Sequence, residues 1–398
     1  MRITIPAALL LAACHHDDGT SDDTGTSPAT DADADADADS DTDTDTDTDT
    51  DTATATSGDA VLLVPTRDGL TLLQTDGAVR SEHTWAELLG SCSGCGGEGA
   101  SADGDGLLVS YTVDGSNDGG EIARIDASGQ LDFRVSGFSF PHDAARDPAD
   151  DTIIVPEATA GRIRWVAGDG SSNATVRALD SGDADWPGDL PNGISVLQHA
   201  GRTLLASSHR GGGGGGPGGG GGGANGEITM WDITDPASPE LLWTFPPSGS
   251  LYTPHGCILR EYDGQWWLVY AHSDGGPSGG SSVGVAVTDD PRDLPDYVAD
   301  LVPTAAVGTF AFLRGVELTP GGTLWLTDSG GMGGGPPGGA TAGRVVRATL
   351  PALAPNGETG AYGTGQRFVD LVDDEVVLDS LGNPFEGWLW TPPASWPR

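Results

Sequence analysis

From residue 59 onward the apolar positions fall into short runs bounded by Gly-, Pro- and Asp-containing turns, and no stretch carries a helical period. Four of these runs, Ile153-Ile154-Val155, Leu204-Leu205-Ala206, Trp267-Leu268-Val269 and Leu324-Trp325-Leu326, each follow a polar phrase of one kind. The phrases are Pro141-His142-Asp143, Pro191-Asn192-Gly193, Pro254-His255-Gly256 and, more loosely, Leu313-Arg314-Gly315. A unit recurring every few tens of residues marks a propeller or solenoid and outweighs local propensity.

Five units of four strands align. Strands one and two form a hairpin, as in residues 142–146 with 152–156 and 315–319 with 323–327. Third strands fall at 121–125, 162–166, 227–232, 283–287 and 344–349, and fourth strands at 131–135, 175–179, 240–245, 297–302 and 367–371. Residues 61–64, 70–73 and 78–82 match strands two to four of a unit lacking its first strand, which the segment 375–390 can supply. The expected fold is all-β: a six-bladed β-propeller over residues 59–398, closed by joining its N- and C-terminal strands in one blade. Seven blades result if the C-terminal segment forms a hairpin of its own.

In such a blade the loop leading into strand one and the loop leaving strand two share a face. His142, Asn192, His255 and Arg314 stand where innermost strands begin, and Glu157, His209, His272 and Asp328 where second strands end. Both sets are expected to converge on one mouth of the central channel. Four Gly-rich insertions, at 114–120, 211–223, 273–282 and 330–343, belong to the same face, and insertions at one structural position mark the variable, function-bearing side. Two chemistries suit the cluster. Imidazoles with Glu157 or Asp328 can ligate a divalent metal, although the spacing matches no short metal signature. Protonated histidines with Arg314 can hold a sulfate or phosphate group.

Charge narrows the partners. The net charge is −41; residues 15–58 hold fifteen Asp and no basic residue, and with Arg2 set against these, −27 remains for residues 59–398. So acidic a domain is not expected to bind nucleic acid, which requires cationic neutralisation. It suits a divalent cation such as calcium, or a basic small-molecule or protein ligand. All 18 basic residues are Arg, so neither Schiff-base chemistry nor a P-loop lysine is available. The stretch Asp114 to Glu121 has the early spacing of a calcium loop, but its twelfth position is Ile125 rather than Glu, which defeats the EF-hand reading.

At the other end, Met1-Arg2 leads into an apolar run and then Cys14, an export signal over residues 1–13 that is too short to span a bilayer. Leu11-Ala12-Ala13-Cys14 resembles the bacterial lipoprotein lipobox. That resemblance implies an acylated, palmitate-bearing Cys14 and attachment to the membrane, at the bacterial outer membrane or cell surface. Residues 14–58, with Asp at every second position from Asp41 to Asp51, are expected to be a disordered tether. Cys92 and Cys95 suit a short-loop disulfide or a metal pair; Cys257 is expected to be a buried small residue, with pairing to either of them left open.

The stretch from Trp186 through Asn192-Gly193-Ile194-Ser195-Val196 to Leu205-Ala206-Ser207-Ser208-His209-Arg210, together with His142-Asp143 and Asp151-Thr152-Ile153-Ile154-Val155, is similar to blades of bacterial arylsulfotransferase-like propellers. The resemblance implies an exported six-bladed enzyme that moves a sulfuryl group between phenols through a sulfated histidine. His255 or His142 would be the nucleophile, and Arg314 and Asn192 would hold sulfate oxygens. Leu190 stands where that family would carry a histidine before the Asn. Two functional classes follow: a surface module binding a ligand or partner on its Gly-rich face without catalysis, and a sulfuryl-transfer enzyme.

Overall fold

The computed structural model describes residues 60–397, apart from 93, 114–118, 184, 188–189, 212–225, 236, 248–250, 252, 274–279, 331–341 and 354–366. The export segment, Cys14, the Asp/Thr tether and most of the Gly-rich insertions lie outside the described residues. No described helix is long and apolar enough to cross a membrane.

The described chain is a six-bladed β-propeller. Blade 1 joins the two ends of the fold: Leu389–Trp390 lies innermost, followed outward by Val61–Pro65, Gly69–Gln74 and Val79–Thr84. Blade 2 comprises Gly96–Asp103, Gly106–Thr112, Gly120–Ile125 and Leu131–Phe138. Blade 3 comprises Ala145–Arg146, Ile153–Glu157, Arg162–Val166 and Arg177–Leu179, and blade 4 Leu190–His199, Arg202–Arg210, Glu227–Asp232 and Glu240–Phe245. Blade 5 runs Pro254–Tyr262, Gln265–His272, Ser282–Thr288 and Asp296–Val302, and blade 6 Leu313–Leu318, Thr323–Asp328, Gly343–Thr349 and Val372–Leu381.

The apolar runs explain this arrangement. A strand buried on both faces reads as continuous hydrophobics, and alternate side chains meet different neighbours. In Val61–Pro65, Val61 and Leu63 pack with Ala100, Leu107 and Val109 of blade 2, while Leu62 and Val64 pack with Trp325 and Val345 of blade 6. Likewise Ile153 and Val155 join Leu108 and Ile122 of blade 2, whereas Ile154 joins Ile194 and Leu205 of blade 4. One such cluster fills each of the six gaps between blades, so the core is a ring of interfaces and closure at blade 1 completes it.

Three local expectations need correction. Residues 367–371 are not the fourth strand of blade 6. Phe368–Asp370 pairs in parallel with Asp296–Val302 as a fifth strand of blade 5, and Val372–Leu381 closes blade 6 instead. Only the end of the 375–390 segment therefore serves as the closing strand. Finally, Trp85–Leu89 is a helix, too short to show a period in the sequence. It is built by a capping box, with Thr84 Oγ1 accepting from the Glu87 N–H and Glu87 Oε2 accepting from the Thr84 N–H. Trp85 anchors it by donating to the Thr66 carbonyl at 3.0 Å.

Candidate functional site

At the start of the innermost strands of blades 2, 4, 5 and 6 one polar residue leaves the ladder. Pairing with the second strand skips Glu98 in blade 2, Asn192-Gly193 in blade 4, His255-Gly256 in blade 5 and Arg314 in blade 6. In blade 3, His142 lies between the isolated Pro141–Glu157 bridge and the strand beginning at Ala145. In blade 1, Glu386–Gly387 precedes the Leu389–Trp390 strand and pairs in parallel with Gly99 and Ala100 of the next blade. A bulge turns a side chain out of the ladder. Bulges at Glu98, Asn192, His255 and Arg314, with His142 and Glu386 from the other two blades, set six polar residues, one per blade and all buried, around the axis.

Glycine makes this crowding possible. Five of the six are followed by Gly, and at three of these a Cβ would strike the next blade: 2.8 Å from the His142 carbonyl at Gly99, 3.0 Å from that of His255 at Gly193 and 2.6 Å from that of Arg314 at Gly256. Blade 3 has Asp143 in the same place, and its carboxylate accepts the N–H groups of Ala144 at 2.8 Å and Ile194 at 3.4 Å. Hydroxyls from second strands tie the ring together. Ser208 binds the His255 carbonyl, and Thr327 accepts from the Gly315 N–H and donates to the Phe385 carbonyl. Phe140 and Thr253, each two residues before a ring histidine and directly before its proline, have positive φ values of 56° and 43°. Non-glycine residues held there are strained, and such strain is kept where a side chain must be aimed.

Within the ring the side chains meet closely. His255 Nδ1 lies 2.6 Å from Glu386 Oε1, and the rings of His142 and His255 are 5.0 Å apart, edge to face. Arg314 Nη1 is 3.5 Å from Glu98 Oε2, and its guanidinium stacks over Phe385 at 3.9 Å. Asn192 Nδ2 donates to the Pro254 carbonyl at 3.1 Å. Phe140 and Phe312 pack against His142 and His255, at 4.5 and 5.8 Å between ring centroids.

Burial dominates the electrostatics. It drives His142 down to about 3, helped by the charges of Arg314 and Arg210, and holds His255 well below its ordinary value. It raises Glu98 to about 8, against the pull of Arg314 and Arg67, and Asp143 to about 7. Glu386 is pushed well above the carboxylate range by burial and then by Asp143. Both ring imidazoles are thus neutral at pH 7, which leaves them free as nucleophiles or ligands.

The structure brings together His142, Asn192, His255 and Arg314, with Glu98 and Glu386 beside them. It does not bring Glu157, His209, His272 and Asp328 into that ring. Each of these is engaged within its own blade. Glu157 pairs with Arg162 at 2.5 Å and Arg164 at 3.2 Å, and accepts the Ser139 N–H. His209 meets Ser207 and Thr229 hydroxyls at 2.6 and 3.0 Å, while His272 Nε2 lies 3.2 Å from Asp300. Asp328 binds Arg344 and accepts the N–H groups of Ala311 and Phe312, on the loop leading to Arg314. Cys92 and Cys95 are disulfide-bonded, and Cys257 is a buried free thiol.

No protein-family model and no curated protein matches the chain. Solved structures match its fold. A hypothetical selenium-binding protein from Sulfolobus tokodaii is 12% identical with a TM-score of 0.51, over 85% of this chain and 79% of that one. A putative oxidoreductase (glucose dehydrogenase) from Thermus thermophilus is 18% identical with a TM-score of 0.44, over 72% and 92%. A chain of a nidogen/laminin complex is 12% identical with a TM-score of 0.48, over 83% and 98%. Likeness at these identities concerns the fold alone.

Proposed function

We propose that this protein is a lipid-anchored cell-envelope β-propeller that binds a small polar ligand at its axial ring, on the face carrying the Gly-rich insertions. The supporting observation is the ring itself: six buried polar residues, one per blade, four of them displaced from the β-ladder. Apolar interfaces already hold the blades together, and buried ionisable groups are costly unless a partner compensates them. The test is a thermal-shift screen of the full chain against anions, sugars, amines and divalent cations. At least one class should raise the midpoint in the wild type and fail to do so in His142→Ala and His255→Ala. Equal shifts in wild type and both variants would remove the ring from the account. For the anchor, Cys14→Ser should abolish palmitate labelling and move the protein from the membrane to the soluble fraction; persistent labelling overturns the assignment.

A second reading, sulfuryl transfer, is favoured by one observation: two neutral imidazoles 5.0 Å apart, both under the charge of Arg314. An imidazole nitrogen would attack the sulfur of an aryl sulfate, forming the N–S bond as the S–O bond to the departing phenolate breaks. An acceptor phenol, losing its proton to solvent, would then take the sulfuryl group and restore the histidine. Incubation with 4-nitrophenyl sulfate followed by peptide mass spectrometry should find sulfated His142 or His255; unmodified histidines with no phenol released rule this reading out.

A further inference from the structure

We propose that His142, His255 and Glu386 bind a divalent transition-metal ion, of the zinc or ferrous-iron class, on the propeller axis. One ligand atom from each lies within 4.8 Å of the others, and all three side chains are buried. Neighbouring ligands of a tetrahedral ion with bonds of about 2.0–2.1 Å stand roughly 3.3 Å apart. The separations, at most 4.8 Å, need to close by no more than about 1.5 Å, shared between two side chains. Two imidazoles and one carboxylate, leaving open positions, form a donor set typical of catalytic zinc and non-haem iron. Imidazole nitrogen favours these ions over calcium, which takes an all-oxygen shell.

Two further observations point to a ligand here. His142 Nδ1 is buried and has no hydrogen-bond partner, although buried polar atoms are nearly always paired. Around the triad, Glu98, Asp143 and Glu386 set three carboxyl groups against one buried guanidinium, Arg314, while Arg67 is exposed and Arg210 half-buried. A dication is the kind of charge that this concentration of buried carboxyl groups suits. The surroundings also supply positioning: the Asp143 carboxylate is pinned by two backbone N–H groups beside His142, and Ser208 holds the backbone of His255.

The inference rests on the axial ring as a ligand site and names its ligand. The full chain, stripped with a chelator, is titrated with Co²⁺ as a visible-absorbing probe and with Zn²⁺ as competitor. Saturation at one ion per chain is expected, with about tenfold or weaker affinity in Glu386→Gln, His142→Ala and His255→Gln. The tether variant His15→Ser/His16→Ser should bind as the wild type does. X-ray absorption on the zinc-loaded wild type keeps the test independent of whether the variants fold: a shell with two imidazoles is expected. No saturable binding, unchanged affinity in the triad variants, loss in the tether variant, or a shell without imidazole each overturns the metal site. If the metal fails while an organic ligand in the thermal-shift screen depends on His142 and His255, the ring remains a ligand site and only the metal is excluded.

Discussion

The six ring residues and the four residues that end second strands are alike in type and in burial, but their partners come from different places. Glu157, His209, His272 and Asp328 find theirs inside one blade, through Arg162 and Arg164, Thr229, Asp300 and Arg344. The ring residues find theirs across blades: His255 with Glu386, Arg314 with Glu98, Asn192 with Pro254. A polar group served within its own blade stabilises that blade and braces the loop ahead of it. A polar group that depends on another blade finds its partner only when the blades have assembled, and for the ionisable ones burial there sets the protonation state.

Substitutions separate the two roles. The largest effect is expected from Glu157→Gln, which strands Arg162 and Arg164 without their carboxylate and should cost about 4 kcal/mol of unfolding free energy in urea titration. A loss below about 1 kcal/mol would erase the distinction. Next comes pH. Glu98 is raised to about 8 and Asp143 to about 7 in the folded state, so folding takes up protons. Their contribution is present at acid pH, below the unfolded carboxyl values, and is lost as pH rises through 7 and 8. His142, lowered to about 3, acts oppositely: its contribution is present above about 6.5 and fades as pH falls. Glu98→Gln should therefore gain on the wild type by on the order of 3 kcal/mol between pH 5 and pH 9, since a pKa unit is worth about 1.4 kcal/mol. A parallel pair of pH–stability curves would contradict this. Gly256→Ala forces a Cβ to 2.6 Å from the Arg314 carbonyl and should cost about 2 kcal/mol by overpacking, with the ring displaced. A neutral outcome in urea titration would show that the blades can spread. The smallest effect is Asn192→Ala, about 1 kcal/mol by the same measurement for one hydrogen bond to the Pro254 carbonyl.

Much of the architecture is legible in the sequence because it depends on repetition. Short apolar runs set strand positions, and their spacing sets the blades. The assignment of 367–371 misplaces a strand because the choice between blade 5 and blade 6 is a matter of which edge lies nearer, which local pattern does not encode. The site was half visible. His142, Asn192, His255 and Arg314 share a phrase, usually with a preceding Pro, whereas Glu98 follows Gly97 and Glu386 lies in a closing segment that follows no hairpin. A better signal is the polar residue followed by Gly, present as Glu98-Gly99 and Glu386-Gly387 as well. Its physical basis is the close approach of neighbouring inner strands. The sequence puts the second-strand residues at the ends of their strands, but spacing cannot say that a partner one or two strands further out in the same blade already engages them.

Blade 1 carries one more consequence. The segment that seals the circle, Glu386–Gly387 with Leu389–Trp390, also delivers Glu386 to the axis. Docking of that segment and delivery of Glu386 to His255 are thus a single event. Without that segment His255 loses the carboxylate that lies 2.6 Å from its Nδ1. A ligand bound at the axis, as proposed above, would therefore lend its binding free energy to keeping the last joint shut.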